Sequence, residues 1–176
     1  MKRYYKVILG PKNGHAGLCK NENFIGVDLG IDMDLSSSFT ENWRDFNNEF
    51  IPLYLEKNPG KKKVAAGLAC GTTWTYGTGM KHGDIILCSD GNVRFELAEI
   101  AGGYSYHPGQ PLPHRRPVKW LSVSIEKEAM QGSLKTAVSS SWYYCDLSKY
   151  SKELEDLIAG LRQQTLVTAD ATIEDP

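Results

Sequence analysis

The 176-residue chain lacks an excess of charge of either sign: 20 Lys+Arg stand against 21 Asp+Glu, a formal net charge of −1. A protein that grips nucleic acid mainly through phosphates is normally far more basic. Any such contact here must therefore be local. Residues 1–120 carry 15 Lys+Arg and 12 Asp+Glu, and residues 121–176 carry 5 and 9, so the positive balance lies in the first two thirds. No apolar run approaches the ~20 residues that span a bilayer. The opening "MKRYYKVILG" has too short an apolar segment for a signal peptide and reads as a strand. The cysteines are four, Cys19, Cys70, Cys88 and Cys145. They are scattered, with no CxxC and no Cys/His spacing suited to a metal. The expectation is four reduced thiols in a cytoplasmic protein with no metal and no cofactor.

The common catalytic signatures are missing too. There is no GxGxxG after a strand, no Walker A lysine loop, no GxSxG and no HExxH. Asp84 followed by Glu96-Leu97-Ala98 lacks the lysine that a metal-dependent nuclease carries after its glutamate. Glu96 and Glu99 are three apart, which turns them to opposite faces of a strand. The four histidines, His15, His82, His107 and His114, fall in turns or loops. No catalytic residue is assigned, and the expectation is a domain that binds rather than reacts.

What is present is a mixed pattern. Lys2–Leu9 and "NFIGVDLG" (23–30) read as strands, with Gly26 marking the close approach of another backbone. Residues 10–17 and 31–39 read as loops. Thr40 is an N-cap candidate for a helix whose face is Trp43, Phe46, Phe50 and Leu53, with Trp43 assigned to the core and a kink or restart at Pro52. A glycine-rich helix is expected over roughly 64–77, ending at Gly77 or Gly79. "GDIILCSDGNVRFELAEI" (83–100) is a hairpin about an Asp-Gly turn. A strand follows over 115–123, then a short helix near 127–137, a strand near 142–146 and a final helix carrying Leu154, Leu157, Ile158 and Leu161. The expected fold is α+β: a small curled mixed β-sheet or partial barrel with flanking helices over residues 1–161, and a linker-like tail over 162–176.

The stretch "GGYSYHPGQPLPHRRPVKW" (102–120) combines rings and cations. Tyr104 and Tyr106 project to one side if extended, Arg115 and Arg116 to opposite sides, and Trp120 closes the run. An extruded base needs flat side chains to stack on it, polar groups for its edge and cations for the flanking phosphates. The stretch offers the first and third. Packing between strands is the competing reading of the same aromatics.

The order "FIGVD", a helix with a tryptophan, "GDIILCSDGNVRFELAEIAGGYSY" and "HRRPVKWL" resembles the PUA-like domains of the EVE/YTH type. It looks most like those at the N-termini of modification-dependent restriction proteins of the Mrr and Mcr kinds. The resemblance covers about Tyr4 to Leu121. It implies a reader of modified DNA that flips a base into an aromatic cage and serves a nuclease or motor effector, in a longer parent chain or as a separate protein. The expected base-binding residues are Phe24, Asp28, Trp74, Tyr104, Tyr106 and Trp120. Arg115, Arg116, His114 and Lys62, with its neighbours Lys61 and Lys63, are expected to hold phosphates. Where the family often has tryptophan this chain has Asp28. A carboxylate there suits the N4 amine of a 5-substituted cytosine such as methylcytosine. N6-methyladenine, RNA or a modified nucleotide, and a protein partner are the alternatives. No membrane contact is expected.

Overall fold

The first strand, β1 (Tyr4–Val7), is buried at every position, because it lies inside the sheet and both of its faces are covered. The computed structural model describes residues 1–91 and 93–173, the last three of these by backbone only. After β1 come α1 (Ala16–Glu22), β2 (Phe24–Val27), α2 (Trp43–Lys57), α3 (Lys63–Trp74), β3 (Ile85–Ser89), β4 (Arg94–Ile100), β5 (Ser105–Tyr106), β6 (His114–Glu126), α4 (Gly132–Ala137), β7 (Tyr144–Asp146) and α5 (Ser151–Ile173). The strands form one curled mixed sheet in the order β2-β6-β4-β3-β1-β7, with β5 added on β6. Only β1 and β3 run parallel; the other pairs are antiparallel. The expected α+β half-barrel with flanking helices is what forms.

Period-two alternation sorts the core into two layers. Tyr5, Val7, Ile86, Cys88, Ala98 and Ile100 face a cluster completed by Tyr76, Met80 and Leu112. Tyr4, Ile85, Leu87, Phe95 and Leu97 face the other way, against Leu134, Val138, Leu154 and Ile158 from α4 and α5. A third cluster, Ile31, Leu35, Phe46, Phe50 and Cys70, joins α2 and α3 to the loop after β2. Strand β6 is long enough to serve three partners. Its first four residues pair with β2, the first two of them also with β5, and Val118–Trp120 and Ser124–Glu126 pair with β4. Between Trp120 and Ser124 its register with β4 slips, and Ser122 adopts φ 54° at that bulge.

Several expectations need correction. Ala16 and Gly17, read as the end of a loop, open the helix that runs to Glu22; a seven-residue helix containing Gly17 is too short to show periodicity. Asn42, not Thr40, caps α2, its side chain accepting from the Asp45 amide at 3.0 Å. The helix runs through Pro52 without restarting. Trp43, assigned to the core, is 44% exposed, as is Leu53 on the same face at 42%, and the Arg44 guanidinium lies over the Trp43 ring. The glycine-rich segment is α3 followed by a π turn, Thr75–Gly79, which ends where expected. The tail read as a linker continues α5 as far as Ile173. It has no glycine or proline between Gly160 and Ile173 to stop it, and it shows no apolar stripe because residues 162–170 are exposed all round. Asn92 in the hairpin turn and residues 174–176 of the tail lie outside the described residues.

Gly26 marks a close backbone approach, as its sequence position implies. A Cβ there would sit 2.9 Å from the Leu112 carbonyl oxygen and 3.0 Å from that of His114. Neither is the end of a flexible side chain, so the strand must shift. Gly26→Ala is expected to cost about 1–3 kcal/mol, read as a lowered urea midpoint at unchanged m-value; an unchanged midpoint would mean that β2 and β6 separate freely.

Candidate functional site

The start of β6 places three successive polar side chains, His114, Arg115 and Arg116, in the interior, at 1%, 6% and 5% exposure. Such groups stay buried only when their hydrogen bonds are met. Arg116 Nε donates to the Gly102 carbonyl at 2.8 Å. Its Nη1 donates to the carbonyls of Tyr76, Gly77 and Met80. The first two belong to the π turn and Met80 follows it directly, where a helix's last carbonyls have no intrahelical donor. Arg115 donates to the carbonyls of Leu112 and Pro111 at 3.0 and 2.7 Å and lies 3.9 Å over the Phe24 ring. The expectation that Arg115, Arg116 and His114 hold phosphates is therefore corrected. All three are committed to main-chain groups inside the fold.

His114 organises the loop after β2. Its Nε2 donates to the Ile31 carbonyl at 2.6 Å, which leaves Nδ1 as an acceptor. The Tyr104 hydroxyl donates to Nδ1 at 2.7 Å and itself accepts from the Leu35 amide at 3.2 Å. Burial pushes the Tyr104 phenol up to about 12, so it remains a donor. The relay therefore pins both ends of the segment 31–35 to β6. Burial also lowers the His114 pKa, against the opposing pull of the Ile31 carbonyl and of Asp28, Asp32 and Asp34.

Tyr104 and Tyr106 both flank the His114 ring, with centroids at 5.8 and 5.2 Å, and Phe39 meets Tyr104 edge-on at 4.9 Å. These aromatics come together as expected, but around a histidine. Phe24 is covered by Arg115. Trp74 packs with the α2–α3 cluster and donates its indole N–H to the Thr40 carbonyl at 3.0 Å. Trp120 lies elsewhere, beside Lys20, Glu96 and the bulge at a cavity of about 210 Å³, with its buried indole N–H unpartnered. The six expected base-binding residues thus do not converge on one cage. Asp28 is exposed, and its carboxylate accepts from the Gly30 amide at 3.3 Å, closing a local turn.

The loop held by His114 does form a pocket, on its other side. Gly30, Ile31, Asp32 and Met33 face Phe50, Leu53, Tyr54 and Lys57 of α2 across a cavity of about 230 Å³ with an almost wholly apolar lining. Asp32 and Lys57 are its only ionisable carboxylate and ammonium. Gly30 has φ 84° and lies beside Tyr54 and Asn58, where the chain turns toward α2. The turn after α2 carries Lys61, Lys62 and Lys63, all exposed. Lys62 is the N-cap of α3 with no side-chain cap bond, and the first turn of α3 holds no acidic residue. Among the described residues none of Lys57, Lys61, Lys62 or Lys63 is in an ion pair. Apart from Lys61, Lys62 and Lys63, sequence reasoning missed this site.

A family model described as "Domain of unknown function (DUF8426)" matches residues 5–144. The chain belongs to that family. The matched DUF8426 region includes every residue of the His114 relay and of the apolar pocket, and it stops before α5. No curated protein and no solved structure matches the chain. Among the described residues no helix is long and apolar enough to cross a membrane, and no group of three or more His, Cys, Asp and Glu side chains could hold a metal ion.

Two outcomes follow. Arg116→Leu strands at least the Gly102 and Met80 carbonyls and is expected to cost about 2–4 kcal/mol, measured by chemical denaturation; a loss below that of an exposed arginine would refute its role as a staple. For His114 the folded state favours the neutral ring, so the unfolded chain takes up the proton first, near its ordinary 6.5. Stability is therefore full above that value and falls as pH drops below it. His114→Gln should flatten this fall between pH 7.5 and 5.5; an equally steep fall in the variant would place the titrating group elsewhere.

Proposed function

We propose that this domain is a non-enzymatic reader of modified nucleic acid that takes one base into the apolar pocket between the 30–33 segment and α2. The observation that carries the reading is the joining of a ring-sized apolar cavity to four exposed lysines, Lys57 on its rim and Lys61, Lys62 and Lys63 in the adjoining turn. Apolar walls suit a flat ring bearing a methyl group. Asp32 on the rim suits an exocyclic amine. The lysines and the uncapped start of α3 suit phosphates. The resemblance to PUA-like domains of the EVE/YTH type supports DNA as the polymer, 5-substituted cytosine as the favoured base and a restriction effector as the partner.

Relative to the sequence reading, the proposed residues move. Asp32 takes the part first given to Asp28, and Tyr54 and Phe50 take that of Trp74 and Trp120. Tyr104, Tyr106 and His114 act by positioning the loop. Lys61, Lys62 and Lys63 keep their part, joined by Lys57. A second reading, a protein-docking face, draws on Met33 and Leu53 at the pocket mouth and on Val64 and Leu68 of α3, all exposed.

The experiment is a fluorescence titration at fixed moderate salt against duplexes carrying cytosine, 5-methylcytosine, 5-hydroxymethylcytosine or N6-methyladenine at one position, with matched RNAs. Wild type is expected to prefer one modified base. Leu53→Asp should erase that preference, a loss of about tenfold or more from stacking at ~1–3 kcal/mol per base. The Lys61, Lys62 and Lys63→Glu triple variant should weaken all duplexes alike and flatten the salt dependence. Equal binding of all four by every variant would sink the base-reader reading and favour the protein-docking one.

A further inference from the structure

Lys6 is the one buried lysine among the described residues, at 3% exposure. It stands on β1 between β3 and β7, so its side chain must leave through a face of the sheet. The face is the one it shares with Tyr4, by the two-residue alternation of the strand. At that end the apolar cover gives out where α4 stops and the chain runs into Ser139, Ser140 and Ser141. A cleft of about 390 Å³ opens there, lined by Lys6, Lys12, Lys127 and the three serines among others, with no carboxylate in its walls.

The Lys6 ammonium donates to the Ser140 carbonyl. An ammonium has three N–H groups, and that is its one hydrogen bond among the described residues. Among the described residues no carboxylate is in an ion pair with it. Its neighbour across the β1–β7 pair is Cys145, whose thiol burial holds in the neutral form. The nearby charge of Lys127 opposes that of Lys6, and burial favours the uncharged amine. Asp90, on the neighbouring hairpin, accepts from the Arg94 amide at 3.2 Å and does not line the cleft. The Ser140 hydroxyl accepts from the Trp142 amide at 3.4 Å, leaving its own O–H to donate. Three cations and free hydroxyl donors around a space without an acid are mutually unfavourable when the space holds only water. An anion relieves all of them at once.

We propose that this cleft binds a phosphate group, with Lys6 at its floor, Lys12 and Lys127 at its sides and the Ser140 and Ser141 hydroxyls as further donors. The site shares no residue with the apolar pocket, so it stands or falls independently of the base-reading proposal. The phosphate can come from a small phosphorylated molecule or from a nucleic acid.

The test is thermal unfolding and calorimetric titration of the whole chain with inorganic phosphate and pyrophosphate, against sodium chloride at matched ionic strength. Saturable stabilisation beyond chloride is expected. Lys127→Glu, a half-exposed position, and Lys6→Met, which keeps an apolar stem, should each weaken pyrophosphate binding by about tenfold or more, as for the loss of one charged hydrogen bond. Competition by 5′-phosphorylated but not 5′-hydroxyl oligonucleotides would support the site and name a nucleic-acid end. Competition by both would support it with backbone phosphate as the source, and competition by neither would leave a small free phosphate. No stabilisation beyond chloride, or wild-type binding by a correctly folded Lys127→Glu, would overturn it.

Discussion

The burial of the Arg116 guanidinium is the interaction on which the rest of this structure depends. Removing a permanent cation from water is costly unless its donors are all met. Here the acceptors are carbonyls of the π turn after α3 and of Gly102. Neither segment can satisfy those carbonyls by itself. One side chain therefore joins the end of the α2–α3 hairpin, the loop leading to β5 and the start of β6. Asp84 makes a similar junction nearby, accepting from the main-chain amides of Arg3 and Lys81 at 3.0 and 2.8 Å. The "GD" that opens the β3–β4 hairpin is thus a bracket between β1 and the turn after the π segment.

From this frame the pocket follows. Once β6 is fixed, His114 reaches the Ile31 carbonyl and Tyr104 reaches the Leu35 amide, and the segment between them can take only one path. That path leaves Ile31 and Met33 opposite Phe50, Leu53 and Tyr54. The aromatic and basic residues of 104–116 therefore hold the wall of this pocket from behind rather than line it. The separation has a physical logic. Groups that hold a loop must be buried and saturated, whereas groups that greet a ligand must keep open valences. The α2–α3 lysines and the Lys6 cleft meet the second condition, in a chain whose net charge of −1 hides both.

Much of the fold was legible before any coordinates. Tyr, Val and Ile content marked β1, and the Asp-Gly turn marked β3 and β4 as a hairpin, because these residue types fit a pleated strand and a tight reversal. Gly26 signalled a backbone contact, and the glycines at 77 and 79 signalled the end of the α3 segment. What misled was composition read without partners. Trp43 sits on the periodic face of α2, yet its turn of helix extends past the cluster that buries Phe46 and Phe50. The stretch from Gln163 lacks an apolar stripe, yet nothing in it breaks a helix already running.

By itself the sequence determined the local grammar: where strands alternate, where helices can run and where glycine is required. These follow from dihedral preference and from period, which neighbours in the chain impose. Only the tertiary structure decided what the charges do. Arg115 and Arg116 are adjacent, basic and flanked by aromatics, and in sequence they are indistinguishable from a phosphate clamp. Their burial against main-chain carbonyls depends on residues 3 to 40 positions away. The same holds for Lys6, which local pattern would place at the surface and which β3 and β7 enclose. A charged side chain takes its role from the dielectric and the acceptors around it, and those are supplied by parts of the chain that sequence proximity does not reveal.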